Sequence, residues 1–477
     1  MIFDPLLSVD DKGNPVPILA TEVPTAANGG ISPDGLTVTY HLRPGVKFTD
    51  GVPLTSKDVK FTWRAMMNPA NNVVSRNGFD DVTSIDTPDD TTVIVHLKRV
   101  YAPFTAEFFG EGDAPTEIAP EHLLAKFPNL NQVPFNSEPV GSGPYKLAEW
   151  VKGDHITLVA NPNYFRGTPG LKRIVIRIIP DENTALNLLR THEIDWMFEP
   201  SFATFAALKR IKDVNVLLQN INGYEGMAFN TAHPPLDDVQ VRRALAYAVN
   251  KKQLLTTLTF GQETMATEDI PDWYWAYNPH VTVYPFDPAK AKALLAADGW
   301  RPGPDGVLAK HGQPLSLLLA TNQSNATRRE AALQIQAMLR TIGVETQIKF
   351  FDGGTYFAPA PLGILQGGKF DMALYGWYAG ADPDNSGLFT CANRPPAGFN
   401  YTRYCAPAME AAQRAALTHY DLPTRKKAYA QIEEALATDA PQIFFFWRRQ
   451  AQATNPDFKG FDPNPVTESW NSYQWSI

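Results

Sequence analysis

The sequence predicts an α/β protein of two or three structural units. Its 477 residues exceed the roughly 150 that are typical of one domain, and 44% of them are apolar, which is enough to bury real cores. Segments with strand-like alternation are interspersed with segments of helical periodicity along the whole chain. The formal net charge is −8, without a basic block, so neither nucleic acid nor an anionic membrane surface is an expected partner.

The first block, residues 38–138, reads as a small α+β unit. From Val38 to Leu42, apolar residues alternate with polar ones, as a half-buried strand requires. Thr55 stands three residues before Asp58, which is the spacing of a capping box. This pattern predicts a helix over Ser56–Met67.

The second block carries strand patterns at Tyr145–Trp150, Ile156–Ala160 and Ile174–Ile178, separated by turn-forming residues. A helical pattern through Ala185–Leu189 then leads to another short strand at Ile194–Met197. Because strands that alternate with helices favour parallel pairing, this block predicts a partly parallel sheet.

The third block begins after Gly223 and predicts a compact α/β lobe. Asp238 caps a helix whose apolar residues follow the i, i+3, i+4 rule. A long helix over Ala326–Ile342 ends at Gly343, and a strand with one polar face follows it. Further elements are predicted in this block: helices from Asp287, over Pro407–Leu417 and over Thr424–Asp439, and strands over Phe370–Leu374 and Gln442–Trp447.

Catalytic motifs are weak in this chain. Gly363, Gly368 and Lys369 match a phosphate-binding loop, but Phe370 stands where a hydroxyl would have to reach Mg²⁺. The nine histidines form no HExxH motif, and no GxSxG motif is present. A pair of carboxylates for glycan or peptide hydrolysis needs no local motif, so a hydrolase stays open as an alternative.

Aromatic residues give a stronger signal. Tyr375, Trp377 and Tyr378 end a predicted buried strand and precede the loop Gly380–Gly387. Rings at a strand end beside a glycine-bearing loop are typical of a ligand cleft. The alternative is packing between lobes, and both interpretations also apply to the aromatic group at 273–277.

Several motifs, in one order along the chain, resemble a known family. The segment from Leu42 to Gly51 closely resembles the characteristic stretch of the family 5 extracellular solute-binding proteins. These are the peptide, nickel and oligosaccharide receptors of ABC importers. The resemblance continues through Gly141–Tyr145, Asn161–Tyr164, Ile179–Asp181, Glu193–Asp195, Phe229–Thr231, Asp238–Leu245, Gly376–Trp377, Asp382–Asn385 and Asn400–Tyr401.

The resemblance implies a two-lobed periplasmic-binding-protein fold (type II, cluster C) with an extra small α+β domain on the first lobe. Residues 1–37, 139–223 and 449–477 would form lobe I, residues 38–138 the extra domain, and residues 224–448 lobe II. Hinge closure around a solute would be the signal that the permease reads.

The same resemblance implies a receptor and not an enzyme, without a cofactor or a metal. Its partners would be a small-molecule or peptide ligand and the permease subunits of an ABC importer. We expect a monomer without a membrane span, located in the periplasm or outside the cell, although the chain shows no export signal.

The ligand site implied by the resemblance lies at the end of the strand that carries Trp377. Peptide-binding relatives have an aspartate three residues after this tryptophan to receive an ammonium group, whereas this chain has Gly380. Either Asp382 takes the place of that aspartate, or the ligand carries no charge at that end, as an oligosaccharide would. Of these ligand classes, a peptide-like ligand is favoured. The predicted ligand-binding residues are Gly376, Trp377, Tyr378 and Asp382, with Tyr375 and Asn385 as weaker candidates.

Two further expectations follow from the resemblance. Dipeptide-binding relatives carry a similar pair of cysteines, so Cys391 and Cys405 are predicted to form a disulfide, which would imply an oxidising compartment. Relatives also have an additional segment before the one that resembles Met1–Leu6. We therefore expect an incomplete first lobe, with an exposed sheet edge and weaker ligand binding.

Overall fold

The computed structural model of the chain describes residues 1–73, 75–112 and 115–477. These residues divide into two compact units. Unit 1 comprises Met1–Ile221, Ala379–Asp382 and Gln450–Ile477, and unit 2 comprises Asn222–Tyr378 and Pro383–Arg449.

Unit 1 is built mainly from small antiparallel sheets and short helices. In chain order its elements are β1 (Leu7–Val9), β2 (Pro15–Pro17), β3 (Thr37–His41), α1 (Ser56–Met67), β4 (Val82–Asp89), β5 (Thr92–Leu97), α2 (Phe104–Glu107), α3 (Glu121–Leu124), β6 (Tyr145–Val151), β7 (His155–Ala160), β8 (Arg173–Arg177), α4 (Glu182–Arg190), β9 (Trp196–Phe198) and α5 (Phe202–Leu208).

The predicted capping box of α1 is confirmed. The Thr55 side chain caps the first turn, and the Asp58 carboxylate accepts a hydrogen bond from the Thr55 backbone N–H at 2.8 Å. Strands β3, β5 and β4 form an antiparallel sheet in that order, and α1 packs against it. Helix and strands in this segment therefore form as the local pattern predicts.

The partly parallel sheet predicted for the second block is wrong. Strands β6, β7 and β8 form an antiparallel meander, because the tight turn around Gly153 reverses the chain between β6 and β7. Strand β9, which follows α4, pairs with residues 452–454 of the last strand, also antiparallel. The outer strand β8 exposes Val175 and Ile176.

Unit 2 contains one large sheet with helices on both faces. Its elements are β10 (Asn215–Phe229), α6 (Val239–Ala248), α7 (Lys251–Thr259), β11 (Thr264–Met265), α8 (Pro288–Ala297), β12 (Arg301–Pro302), β13 (Leu308–Lys310), β14 (Gln313–Pro314), β15 (Ser316–Asn322), α9 (Ala326–Arg340), β16 (Glu345–Phe351), α10 (Gly353–Phe357), α11 (Ile364–Gly367), β17 (Met372–Tyr378), α12 (Ser386–Phe389), α13 (Pro407–Thr418), α14 (Leu422–Asp439) and β18 (Gln442–Thr454).

The strand order of this sheet is β11-β18-β10-β17-β15-β16. Strand β15 pairs in parallel with β16 and β17, whereas β17 is antiparallel to β10. Strands β10 and β18 both continue from one unit into the other. The chain therefore passes between the units within β10 and within β18, and it also does so on either side of the short segment Ala379–Asp382.

Alternation along β17 distributes its side chains between the two faces of the sheet. Met372 and Leu374 join the core under α6, α8 and α9, whereas Ala373 and Tyr375 join the core on the opposite face, beside α10 and α11. A third cluster lies under α13 and α14. Both faces of β17 are thus covered near its start.

Candidate functional site

The C-terminal end of β17 brings three of the predicted ligand-binding residues to the surface of unit 2. Gly376, Trp377 and Tyr378 pair with residues 223–225 of β10 in an antiparallel register. Tyr375 is only 2% exposed, whereas Tyr378 is 51% exposed. The strand therefore emerges from the core within these four residues.

Trp377 and Tyr378 point to opposite faces of the strand, as neighbouring strand residues must. Trp377 is half-buried against the cluster under α13 and α14, and its ring centroid lies 5.4 Å from that of Phe399. The Tyr378 ring lies 4.8 Å from the Arg448 guanidinium carbon, a cation–π geometry. Each ring is thus supported from one side by a neighbouring side chain.

Arg448 belongs to an ion-pair cluster that the sequence did not reveal. The Glu225 carboxylate accepts two hydrogen bonds from Arg328, from Nε at 2.9 Å and from Nη2 at 2.7 Å, and one from Arg448 Nη1 at 2.8 Å. Burial by itself lowers the pKa of Arg328, but the Glu225 carboxylate raises it above its ordinary value. All three side chains are largely buried.

Gly376 lies directly over this cluster. It faces Glu225 across the β10–β17 pair. A Cβ atom at position 376 would come within 2.5 Å of Glu225 Oε1 and 2.9 Å of Arg328 Nη2. A side chain at position 376 would therefore displace the ion pair, and this close approach explains why glycine stands there.

A second acid lies near Arg448. Glu263 is buried, and burial raises its pKa to about 8, although the charge of Arg448 opposes the shift. At neutral pH this carboxyl therefore carries its proton.

One sequence signal could have indicated the ion-pair cluster of Glu225, Arg328 and Arg448. Glu225 is a charged residue inside the largely apolar strand segment Tyr224–Phe229.

Two predicted residues are engaged inside unit 2. The Tyr375 hydroxyl donates to Gln442 Oε1 at 2.9 Å. The Asn385 amide nitrogen donates to Asp269 Oδ2 at 2.8 Å, and its oxygen accepts from Gln413 at 2.5 Å. Burial raises the pKa of Asp269 to about 6, and the bond from Asn385 limits the rise. A ligand-binding role for Tyr375 and Asn385 stays a prediction.

Asp382 lies in unit 1, with the segment Ala379–Asp382. The Ala381 backbone N–H donates to the Glu111 carbonyl at 2.6 Å, and a Cβ at Gly380 would come within 2.5 Å of the Gly112 backbone. An aspartate at position 380 is therefore excluded sterically in this backbone arrangement. Asp382 itself is buried, and its role as a charge anchor stays a prediction.

The predicted disulfide is confirmed, because Cys391 and Cys405 are bonded. Asn400, which lies inside the loop that they close, donates from its side-chain nitrogen to the carbonyls of Thr390 and Tyr404 at 2.9 and 2.8 Å. These bonds tie together the two ends of the loop. The loop is thus held both covalently and by a buried amide.

The aromatic group at 273–277 packs inside unit 2. Trp273 and Tyr277 both contact the Trp447 ring edge-to-face, and Trp275 contacts Tyr429 in the same way. This group therefore contributes to the core beneath α13 and α14.

Within residues 1–73, 75–112 and 115–477, no group of three or more His, Cys, Asp or Glu side chains is arranged to hold a metal ion. No helix in this described part of the chain has the length and apolar character needed to cross a membrane.

Comparison with protein families gives one match over most of the chain. The family described as "Bacterial extracellular solute-binding proteins, family 5 Middle" matches residues 14–398. The oligopeptide-binding protein AppA of Bacillus subtilis is 27% identical over 481 residues, covering 100% of this chain and 86% of AppA. The dipeptide-binding protein of Escherichia coli is 29% identical over 458 residues, covering 91% of this chain and 82% of that protein.

The fold is similar to that of solved structures. The crystal structure of NikZ from Campylobacter jejuni, in complex with Ni(L-His), superposes with a TM-score of 0.85 at 28% identity. The match covers 100% of this chain and 94% of the NikZ chain.

Proposed function

The chain belongs to the bacterial extracellular solute-binding proteins of family 5, and from this premise we propose that it captures a small peptide-like solute for an ABC importer. Members of this family are receptors that bind a solute and release it unchanged. The two relatives described above bind an oligopeptide and a dipeptide, whereas NikZ holds a nickel–histidine complex. Family membership therefore gives the role, and the ligand must be argued from the site.

The ring pair at the end of β17 is the observation that carries the proposal. Trp377 offers a half-buried indole, and Tyr378 offers an exposed phenol that rests on Arg448. Aromatic faces with a nearby guanidinium suit the planar amides of a peptide and its carboxylate. We assign Gly376, Trp377 and Tyr378 as ligand-contacting residues, and Asp382 as the candidate charge anchor.

The lobe assignment is part of the proposal. We assign residues 1–37, 139–223 and 449–477 to lobe I, residues 38–138 to its extra domain, and residues 224–448 to lobe II. The division of the chain at 221/222 and 449/450 supports the outer bounds of lobe II to within two residues, whereas Ala379–Asp382, which this assignment gives to lobe II, groups with unit 1. A solute that touches both lobes stabilises the closed form by its differential affinity, and we propose that the permease subunits recognise that form of a monomer outside the cytoplasm.

An oligosaccharide is the second candidate ligand. Gly380 leaves the site without the aspartate that receives a peptide ammonium group in peptide-binding relatives, and a buried ammonium without a partner is strongly disfavoured. Sugar rings stack on aromatic faces such as those of Trp377 and Tyr378 without needing a charge partner. The absence of the acid is the observation that favours this alternative.

Calorimetry with panels of di- to pentapeptides and of oligosaccharides tests the ligand class. The peptide proposal requires saturable binding of peptides, with each peptide recovered intact by mass spectrometry. Binding of oligosaccharides alone would replace the peptide by the second candidate. Chemical conversion of any bound solute would contradict the receptor role itself.

The Trp377→Ala variant tests the site. Loss of a central aromatic contact typically costs at least about 2 kcal/mol of binding free energy, so the dissociation constant should rise by roughly thirtyfold or more. Trp150→Ala is a matched control, because this exposed tryptophan lies on β6 in unit 1. An unchanged affinity in Trp377→Ala, with a normal thermal melt, would remove Trp377 from the site.

A further inference from the structure

Unit 2 carries a groove at the start of β17, away from the ring pair at its end. The groove has a volume of about 450 Å³, and its apolar floor is formed by Leu318, Phe351, Ile364 and Phe370. This volume lies in the range of roughly 300–1,000 Å³ that small-molecule sites occupy. Its size and lining therefore suit a small organic molecule with an apolar body.

The floor lies on the sheet face that α10 and α11 cover only in part. Phe351 ends β16 and packs against the cluster that contains Ile364 and Phe370. Leu318, on the neighbouring strand β15, is left partly exposed. The groove is thus a gap between the sheet and the short α11 segment.

Two lysines stand on the rim. Lys349 lies on β16, and Lys369 lies between α11 and β17; both are exposed and line the groove. Lys369 Nζ donates one hydrogen bond, to the Leu362 carbonyl at 2.9 Å, and an ammonium group has three donors. Lys369 therefore has donors left for an anion at the rim of the groove, and Lys349 adds a second positive charge to that rim.

The acid in the groove is already engaged. Asp371 Oδ2 accepts from the Leu318 backbone N–H at 2.8 Å, and Oδ1 lies 3.3 Å from His233 Nδ1. The Asp371 carboxylate is thus fixed by the chain itself, and the two lysines outweigh its charge. The rim therefore favours an anionic group over a cationic one.

The groove is separate from the ring pair. From Met372 to Tyr378 the strand advances six residues, which at roughly 3.3 Å per residue is about 20 Å. Lys369 also belongs to the segment that resembles a phosphate-binding loop, but α11 spans only Ile364–Gly367 and β17 follows it. A nucleotide phosphate site is therefore not formed there, and Lys369 lies on the groove rim instead.

We propose that this groove binds a small amphiphilic carboxylate, independently of the transported solute. The apolar body lies on the partly exposed Leu318 and Phe351, and the carboxylate is held by Lys349 and Lys369. Charge complementarity and the apolar floor together select this ligand chemistry over a neutral or cationic molecule.

The test uses 1-naphthaleneacetate and its neutral counterpart 1-naphthaleneacetamide as probes, titrated by calorimetry into the full chain. The acid should bind saturably and at least tenfold more tightly than the amide. In the double variant Lys349→Gln, Lys369→Gln, the affinity for the acid should fall at least tenfold, and the affinity for the amide should not change. Lys426→Gln, an exposed lysine on α14, is the matched control.

The Trp377→Ala variant separates the groove from the ring pair, because it should bind 1-naphthaleneacetate normally. Loss of probe binding in Trp377→Ala would place the probe at the ring pair and overturn the proposal. Equal affinity for acid and amide, no saturable binding of either probe, or an unchanged affinity in the double lysine variant would overturn it as well.

Discussion

Replacement of Glu268 by glutamine should stabilise the protein at neutral and alkaline pH. Glu268 is completely buried, and burial raises its pKa to about 8, with the charge of Asp269 adding to the rise and that of Lys251 opposing it. Glu433, also completely buried, faces it, and its pKa is raised to about 10 by burial and by the charges of Glu268 and Asp269. Unit 2 therefore contains a cluster of acids that burial keeps protonated.

The magnitude follows from linkage. An acid whose pKa is higher in the folded than in the unfolded chain takes up a proton on folding, so the free energy of unfolding falls as the pH rises between the two values. For Glu268 this window runs from 4.5 to about 8. At about 1.4 kcal/mol per pH unit, the 2.5 units between 4.5 and pH 7 lower the free energy of unfolding by about 3 kcal/mol.

Glutamine keeps the shape of the side chain and removes the titration. The Glu268→Gln variant should therefore regain the free energy of unfolding that the wild type loses as the pH rises. Urea denaturation followed by tryptophan fluorescence at pH 5, 7 and 8.5 measures it. The variant and the wild type should be similar at pH 5, and the variant should become increasingly more stable at higher pH. Glu345→Gln, an exposed acid on β16, is the control and should show no such trend. A stability difference that does not change with pH would refute the reasoning.

Two further predictions concern the residues around the candidate site. Glu225→Gln removes the anion between Arg328 and Arg448, so it should lower the free energy of unfolding by about 3 kcal/mol. It should also weaken solute binding; denaturation measures the first effect and calorimetry the second. Unchanged stability would mean that the protein does not need this ion pair. The double variant Cys391→Ser, Cys405→Ser opens a loop with a sequence separation of 14, which should cost about 3 kcal/mol in the chain-entropy model. A thiol assay on the unreduced, denatured wild type should find no free thiol, and two thiols would contradict the disulfide.

Local patterns predicted much of the fold correctly. The capping box at Thr55 and Asp58, and the N-caps at Asp238 and Asp287, all begin helices where the sequence places them. In each case the signal is a side chain that bonds to a backbone N–H a few residues away, so no distant part of the chain is needed to form it.

Long-range strand pairing accounts for the wrong predictions about the sheets. Strand β10 contains Asn220, Asn222, Gly223 and Gly226, which are poor strand formers. Pairing with β17 and β18 nevertheless makes it a strand of 15 residues. The helix α4 suggested a parallel crossover, but its following strand β9 joined β18 and not β8.

The candidate site divides in the same way. Trp377 and Tyr378 could be proposed as ligand-binding residues from sequence, because rings beside a glycine-bearing loop are visible locally. The ion-pair cluster under Gly376 was not found, because Glu225, Arg328 and Arg448 come from three distant segments. The interior hydrogen bonds of Asn385 and Tyr375 depend in the same manner on partners far away in the chain.

By itself the amino-acid sequence determined the family, the helix starts and the cysteine pair, since these depend on neighbouring residues or on motifs in a set order. The tertiary structure alone decided which strands pair, which rings reach the surface and which charges meet in the interior. Burial and ion pairing depend on atoms brought together from remote segments, and only the folded chain specifies those neighbours.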